Sequence, residues 1–134
     1  MNTWNELEGS TFFNKVFSQP ITIGKVKLFS LAIDNERSNI TLEFDIEELP
    51  DKRPAKWVKD EFNTCRIGIS CENISNTLIK NIPSSEILEI SIKQTKNSYL
   101  IKAFSQNTLI EFQTTLPYLC GPSVYLDDPD SAYS

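Results

Sequence analysis

A period of two in the apolar residues is the strongest constraint on the fold. Residues 40–46 read Ile-Thr-Leu-Glu-Phe-Asp-Ile, which puts Ile40, Leu42, Phe44 and Ile46 on one side and Thr41, Glu43 and Asp45 on the other. Residues 65–71 set Cys65, Ile67, Ile69 and Cys71 against Arg66, Gly68 and Ser70, and Leu88, Ile90 and Ile92 oppose Glu89, Ser91 and Lys93. Successive side chains of a strand point to opposite faces, so this alternation specifies a half-buried antiparallel sheet, one face packed and one wet. Short polar breaks at 34–38, 95–98 and 106–107 separate strands expected near 25–34, 40–47, 86–94, 99–104 and 108–114. Breaks this short suit hairpins, because parallel neighbours need crossovers of about a dozen residues or more. The C-terminal half therefore reads as an up-and-down meander. Within 25–34 the apolar phase slips from Val26 and Leu28 to Phe29, Leu31 and Ile33, which predicts either a bulge or burial on both faces.

One segment has helical spacing. Ser10 stands where an N-cap would, Phe12, Phe13, Val16 and Phe17 form a single stripe, and Pro20 follows where helices commonly stop. About two turns are unstable alone, so the stripe must pack on the sheet. Residues 47–57, with Pro50, Pro54 and alternating charges, read as an ordered surface loop returned to the core by Trp57. The expected architecture is mainly β (α+β with a minor helix): an antiparallel meander or two-layer β-sandwich with one short N-terminal helix packed against it. A chain of 134 residues suits one domain over 1–134, with a frayed acidic tail at 127–134.

Composition then narrows the function. The chain has no His, which removes the side chain most used for acid–base work near neutral pH and the commonest metal ligand. Ser-His and Cys-His nucleophile pairs are excluded, and Cys65, Cys71 and Cys120 form no CxxC unit. The Gly residues are scattered, so no phosphate-cradling loop exists, and no catalytic, metal or cofactor-binding residues are assigned. A net charge of −5 suits a nucleic-acid partner poorly, because phosphate binding depends on Lys and Arg displacing counterions. Few, odd-numbered Cys fit a reducing compartment. The first residues carry acid rather than base, and no run approaches the ~18 apolar residues of a membrane span. The expectation is a cytoplasmic protein without a membrane partner.

The candidate site is the carboxylate series Glu43, Asp45, Glu47, Glu48 and Asp51, of which the first three project from one strand face. Three readings stand side by side: a pair of acids for glycoside cleavage, a solvated strand face, and an acidic docking face for a basic protein, where such charge speeds encounter and suppresses wrong partners. The Cys residues read as small buried hydrophobes; Cys65 and Cys71 share a face but lie about 20 Å apart along one strand, too far to bridge. Cys120 falls in a bend without a basic neighbour. Trp4 and Trp57 read as core anchors, and Tyr118, Tyr125 and Tyr133 serve either packing or a binding surface.

An ordered set of landmarks carries a family resemblance: Trp4, the Phe-rich helix through Val16-Phe17 to Pro20, residues 26–34, the strand Thr41-Leu42-Glu43-Phe44-Asp45, Leu49-Pro50, Arg53-Pro54, Lys56-Trp57 and Phe62-Asn63. In order and spacing it resembles immunity protein family 50 of bacterial polymorphic toxin systems, most closely over residues 4–75 and less so to about 120. The resemblance implies a bacterial protein that neutralises a cognate toxin domain by stoichiometric occlusion, without catalysis; a monomer or weak homodimer is the separate expectation for its oligomeric state. Trp57, Pro50 and Pro54 match recurring positions that look structural rather than toxin-facing. If the toxin is a basic, nuclease-like enzyme, the acidic series becomes the partner-binding candidate. The alternatives are a small β-sandwich binding a ligand or carbohydrate, an enzyme using carboxylates alone, and a structural subunit pairing through its sheet edge.

Overall fold

The computed structural model describes residues 1–57 and 61–127. Helix α1 spans Thr11–Val16, and eight strands follow: β1 Lys25–Asp34, β2 Asn39–Ile46, β3 Thr64–Glu72, β4 Ser75–Lys80, β5 Ile87–Gln94, β6 Tyr99–Phe104, β7 Leu109–Thr114 and β8 Pro117–Tyr125. All eight join one open antiparallel sheet in the order β4-β7-β6-β5-β1-β2-β3-β8. The mainly β expectation with a short N-terminal helix holds, and β5-β6-β7 is the up-and-down meander read from the polar breaks. Of the two layouts expected for the strands, the pairing is that of a single continuous sheet. The expected frayed tail lies outside the described residues from position 128 onward.

Connectivity dictates the shape of this sheet. β3 and β4 stand six strand positions apart, about 29 Å if the sheet were flat. Glu72 and Ser75 are only three Cα steps apart, about 11 Å at most. The sheet therefore curls until its ends meet: the Thr115 amide donates to the Glu72 carbonyl at 3.3 Å, and the Ile74 amide to that of Ser38 at 3.3 Å. The bend falls at β1–β5, where only Lys25↔Glu89, Val26↔Leu88 and Lys27↔Ile87 pair. On one side lie β1-β2-β3-β8 and on the other β5-β6-β7-β4, with one core between them.

That core is the set of inward alternating residues. Ile40, Leu42, Phe44, Cys65, Ile67, Ile69 and Cys71 from the first half meet Leu88, Ile90, Ile92, Ile101, Ile110 and Phe112 from the second, all buried. The N-terminal segment closes the assembly. Trp4 packs on Phe44 with ring centroids 5.2 Å apart, and the buried Phe13 and Phe17 stack at 4.5 Å, so the helical stripe faces the sheet as its spacing predicts. Ser10 occupies the N-cap position, but its hydroxyl donates back to the Asn5 carbonyl at 3.0 Å instead of capping the helix. Trp57 is buried and meets Phe12 edge-on at 5.6 Å, anchoring the 47–57 loop as expected.

The phase slip in β1 is a bulge. Between Leu28 and Ser30 the register with β2 shifts by one, and Phe29 is the extra residue, turned outward. The two edges are managed differently. The Leu119 amide of β8 donates to the Glu8 carbonyl at 2.7 Å, so the N-terminal segment covers the start of that edge. β4 carries a bulge between Ser75 and Leu78, with Asn76 at φ +53°, which blunts it as a template for a second sheet.

Candidate functional site

The register of the first half places four rows of side chains on its outer face. Lys27, Asp45, Arg66 and Ser123 form one row, and Ser30, Glu43, Gly68 and Cys120 the next. Ala32, Thr41, Ser70 and Tyr118 form a third, and Asp34, Asn39 and Glu72 lie beyond it. The bulge adds Phe29, which is 60 % exposed, and Tyr118 at the opposite side is 52 % exposed. Exposed aromatic residues around an Arg are the composition that protein interfaces favour.

The expected carboxylate series separates into two groups on this scaffold. Asp45 accepts from Arg66 Nε at 2.8 Å and Nη2 at 3.2 Å, and from the Tyr125 hydroxyl at 2.6 Å. Arg66 also lies over the Phe29 ring at 3.7 Å and the Tyr125 ring at 4.7 Å. Its guanidinium is thus paired along one edge to a carboxylate, lies over two aromatic rings, and donates from Nη2 to the Tyr125 hydroxyl at 2.9 Å. Burial alone would lower the Arg66 pKa, but the hydrogen bond and charge of Asp45 outweigh it and the shift is upward. Tyr125 is pushed up to about 12, first by burial and then by its bond to Asp45.

Asp51 is also engaged internally. It accepts from the Ser18 amide at 2.9 Å and from the Ser18 hydroxyl, which hold its carboxyl below the usual range. With the Lys52 amide donating to the Val16 carbonyl at 3.0 Å, it ties the β2–β3 loop to the end of α1. Glu43, Glu47 and Glu48 remain exposed, Glu43 on the same outer face as Asp45. The structure thus brings Glu43 and Asp45 together on one face and sends Asp51 to a different task.

A slot lies beside Glu43. Its volume is about 350 Å³, and Thr41, Glu43, Arg66, Ile67, Gly68, Cys120, Gly121 and Ser123 line it. Two departures from regular sheet create it. Gly68 presents no side chain between Glu43 and Cys120, and a Cβ there would lie 2.8 Å from the Leu42 carbonyl oxygen. In β8 the register steps from Arg66↔Ser123 to Gly68↔Cys120, so that Gly121 and Pro122 lie between those two pairs, with Gly121 at φ +90°. The bend read from the sequence around Cys120 is this irregularity inside a strand. Arg66, Phe29 and Gly68 were not singled out as site residues: the alternation marked Arg66 and Gly68 as outward, but their neighbours across the sheet come from strands far away in sequence.

The remaining candidates are accounted for by packing. Cys65 and Cys71 are buried free thiols pushed up to about 12 by burial, and Cys120 is raised by burial and then by the Glu43 charge. Trp4 and Trp57 are core residues, so neither offers a stacking surface to a ligand. Among the described residues no group of three or more Cys, Asp or Glu is arranged to hold a metal ion. Another depression, about 470 Å³, is open to solvent and lined by Lys25, Ile87, Leu88, Glu89, Phe104, Ser105 and Gln106, without the Trp and Tyr walls of a sugar site.

Comparison with known proteins gives one finding. The family model described as Immunity protein 50 matches residues 9–125, a span that includes α1, the whole curled sheet and every residue of the slot. No curated protein and no solved structure matches the chain.

Proposed function

The chain belongs to the Immunity protein 50 family, and from that premise we propose that it neutralises its toxin by binding it one to one and covering a surface the toxin needs, with no chemistry of its own. Family membership itself implies toxin neutralisation and a cognate toxin partner, and immunity proteins are typically non-catalytic inhibitors. The finer reading rests chiefly on one observation: the outer face of β1-β2-β3-β8 gathers Phe29, Arg66, Tyr118 and Tyr125 with an exposed Glu43 on a rigid sheet. A stable interface takes about 800 Å² from each partner, and sheet residues present such an area with little ordering cost. Glu43, Glu47 and Glu48 are the partner-facing carboxylates in this reading, while Asp45 and Asp51 brace the face and its neighbouring loop. The protein acts in the bacterial cytoplasm, where a toxin would meet its target.

The test is co-expression with the toxin domain encoded beside this gene. Cells carrying both should grow, and the two chains should elute together at a 1:1 ratio. Growth arrest despite soluble protein, or turnover of any substrate by the purified chain, would refute the proposal. Reversal of Glu43, Glu47 and Glu48 to Lys should slow association with a basic toxin and flatten its salt dependence.

A further inference from the structure

The charge around the slot is unbalanced in a specific way. Arg66 and Asp45, which stand at one end, cancel each other through two hydrogen bonds. The ion pairs found among the described residues are Arg37–Asp34, Arg66–Asp45 and Lys102–Glu111, so Glu43 stands outside all of them. The rest of the lining carries no further charge: Thr41 and Ser123 contribute hydroxyls, Cys120 a soft surface, and Gly68 and Gly121 backbone, while the side chain of Ile67 is buried in the core. Glu43 thus brings to the slot a negative charge with no ion-pair partner among the described residues, although it lies near enough to Arg66 to help raise the pKa of that guanidinium.

Its shape matches that charge. Gly68 at the floor is closely covered, because a Cβ there would lie 2.8 Å from the Leu42 carbonyl oxygen and 3.3 Å from Glu43 Cγ, so the Glu43 side chain lies directly against the glycine. The slot is bordered by a carboxylate on one strand and hydroxyls on two, a set of oxygen acceptors suited to the N–H groups of an ammonium or guanidinium. Phe29 and Tyr118 stand exposed to either side, so a partner lying across them would shield the slot from water and strengthen a charge pair formed there.

We propose that the slot receives a lysine or arginine side chain of the toxin, paired to the Glu43 carboxylate, as the central anchor of the interface. The occupant rests on the neutralisation reading above, but the cation preference of the slot does not. Glu43 is thus the specificity-determining carboxylate, and the Arg66–Asp45 pair, neutral and fixed, walls the slot without competing for the incoming cation.

Two measurements on the intact chain test this. In the first, N-acetyl-arginine amide is titrated against the ¹⁵N-labelled protein, with N-acetyl-norleucine amide as the uncharged control. Amide shifts should concentrate at Glu43, Gly68 and Gly121 for the arginine compound alone and vanish in Glu43→Gln. In the second, the inactivated toxin domain encoded by the adjacent gene is titrated against wild type, Glu43→Gln, Ser123→Trp and Glu36→Gln. Glu43→Gln and Ser123→Trp should each weaken binding about tenfold or more, one by removing charge and one by filling space, while Glu36→Gln at the β1–β2 turn leaves it unchanged. Unaltered toxin affinity in folded Glu43→Gln, or equal shifts with norleucine, would overturn the proposal. A slot that answers arginine in a chain that binds no toxin would overturn the neutralisation reading and the occupant named here, while leaving the cation preference standing.

Discussion

Substitution of Asp45 by Ala separates the two tasks that a carboxylate on this strand could perform. Its carboxylate accepts three hydrogen bonds, two from the Arg66 guanidinium and one from Tyr125. The side chains of Arg66 and Asp45 are only 22 % and 16 % exposed, so water replaces the lost partner incompletely. Hydrogen bonds to charged groups contribute about 1.5–3 kcal/mol net, and leaving a partly desolvated charge unpaired adds to the loss. Asp45→Ala should therefore destabilise the fold by about 2–4 kcal/mol, which lowers Tm by roughly 10 °C in a domain of this size. Glu43→Ala, two residues earlier on the same face and without an ion pair, should stay within about 0.5 kcal/mol of wild type. Urea denaturation at pH 7, with the Asp45→Ala/Arg66→Ala double variant to measure coupling, reads both numbers. Coupling near zero, or an Asp45→Ala midpoint equal to that of Glu43→Ala, would refute the assignment of Asp45 as a brace.

Three further outcomes follow from other parts of the molecule. Tyr125 has its pKa raised to about 12, so its stabilising contribution is complete below its ordinary value near 10 and is lost as pH rises toward 12. Cys65 and Cys71 shift in the same direction, so the Tyr125 share is read as the difference in alkaline stability between wild type and Tyr125→Phe; parallel curves from pH 10 to 12 would contradict it. In the native protein, a thiol reagent such as Ellman's should modify Cys120 first and reach Cys65 and Cys71 only after unfolding, whereas simultaneous reaction of all three would be inconsistent with their burial. Gly9→Ala should cost more than about 2 kcal/mol, since φ is +85° and the new Cβ would lie 2.5 Å from the Leu119 carbonyl oxygen, while Gly24→Ala, with open space around it, should be near neutral in the same thermal melts.

Much of the sheet was legible because its strands bury one face only. The alternation located β2, β3 and β5, the polar breaks delimited β1, β6 and β7, and the phase slip in β1 allowed a bulge or burial on both faces, of which the structure has the bulge. β4 escaped because Ser75–Lys80 is an exposed edge strand with a bulge of its own, so burial imposes little alternation on Ser-Asn-Thr-Leu-Ile-Lys. β8 escaped because Pro117, Gly121 and Pro122 punctuate it, and such residues are tolerated on an edge. The site was half legible. Outward acids could be counted from sequence, but Asp45 meets Arg66 across a neighbouring strand, and Tyr125 and Ser18 meet their carboxylates 80 and 33 residues away. Separating free from engaged carboxylates requires the register between distant strands, which no local pattern encodes.

The placement of β8 beside β3 sets a schedule for synthesis. The first three strands can pair in the order in which the ribosome releases them, but the fourth member of their half is the last strand of the curled sheet. Tyr125, half the clamp on Arg66, is supplied only after the opposite half has been translated. Such long-range pairing is intrinsically slow, and nascent chains complete it late. A newly made molecule thus spends most of its translation without a finished outer face, and a cell facing a fast poison depends on its standing stock of mature chains.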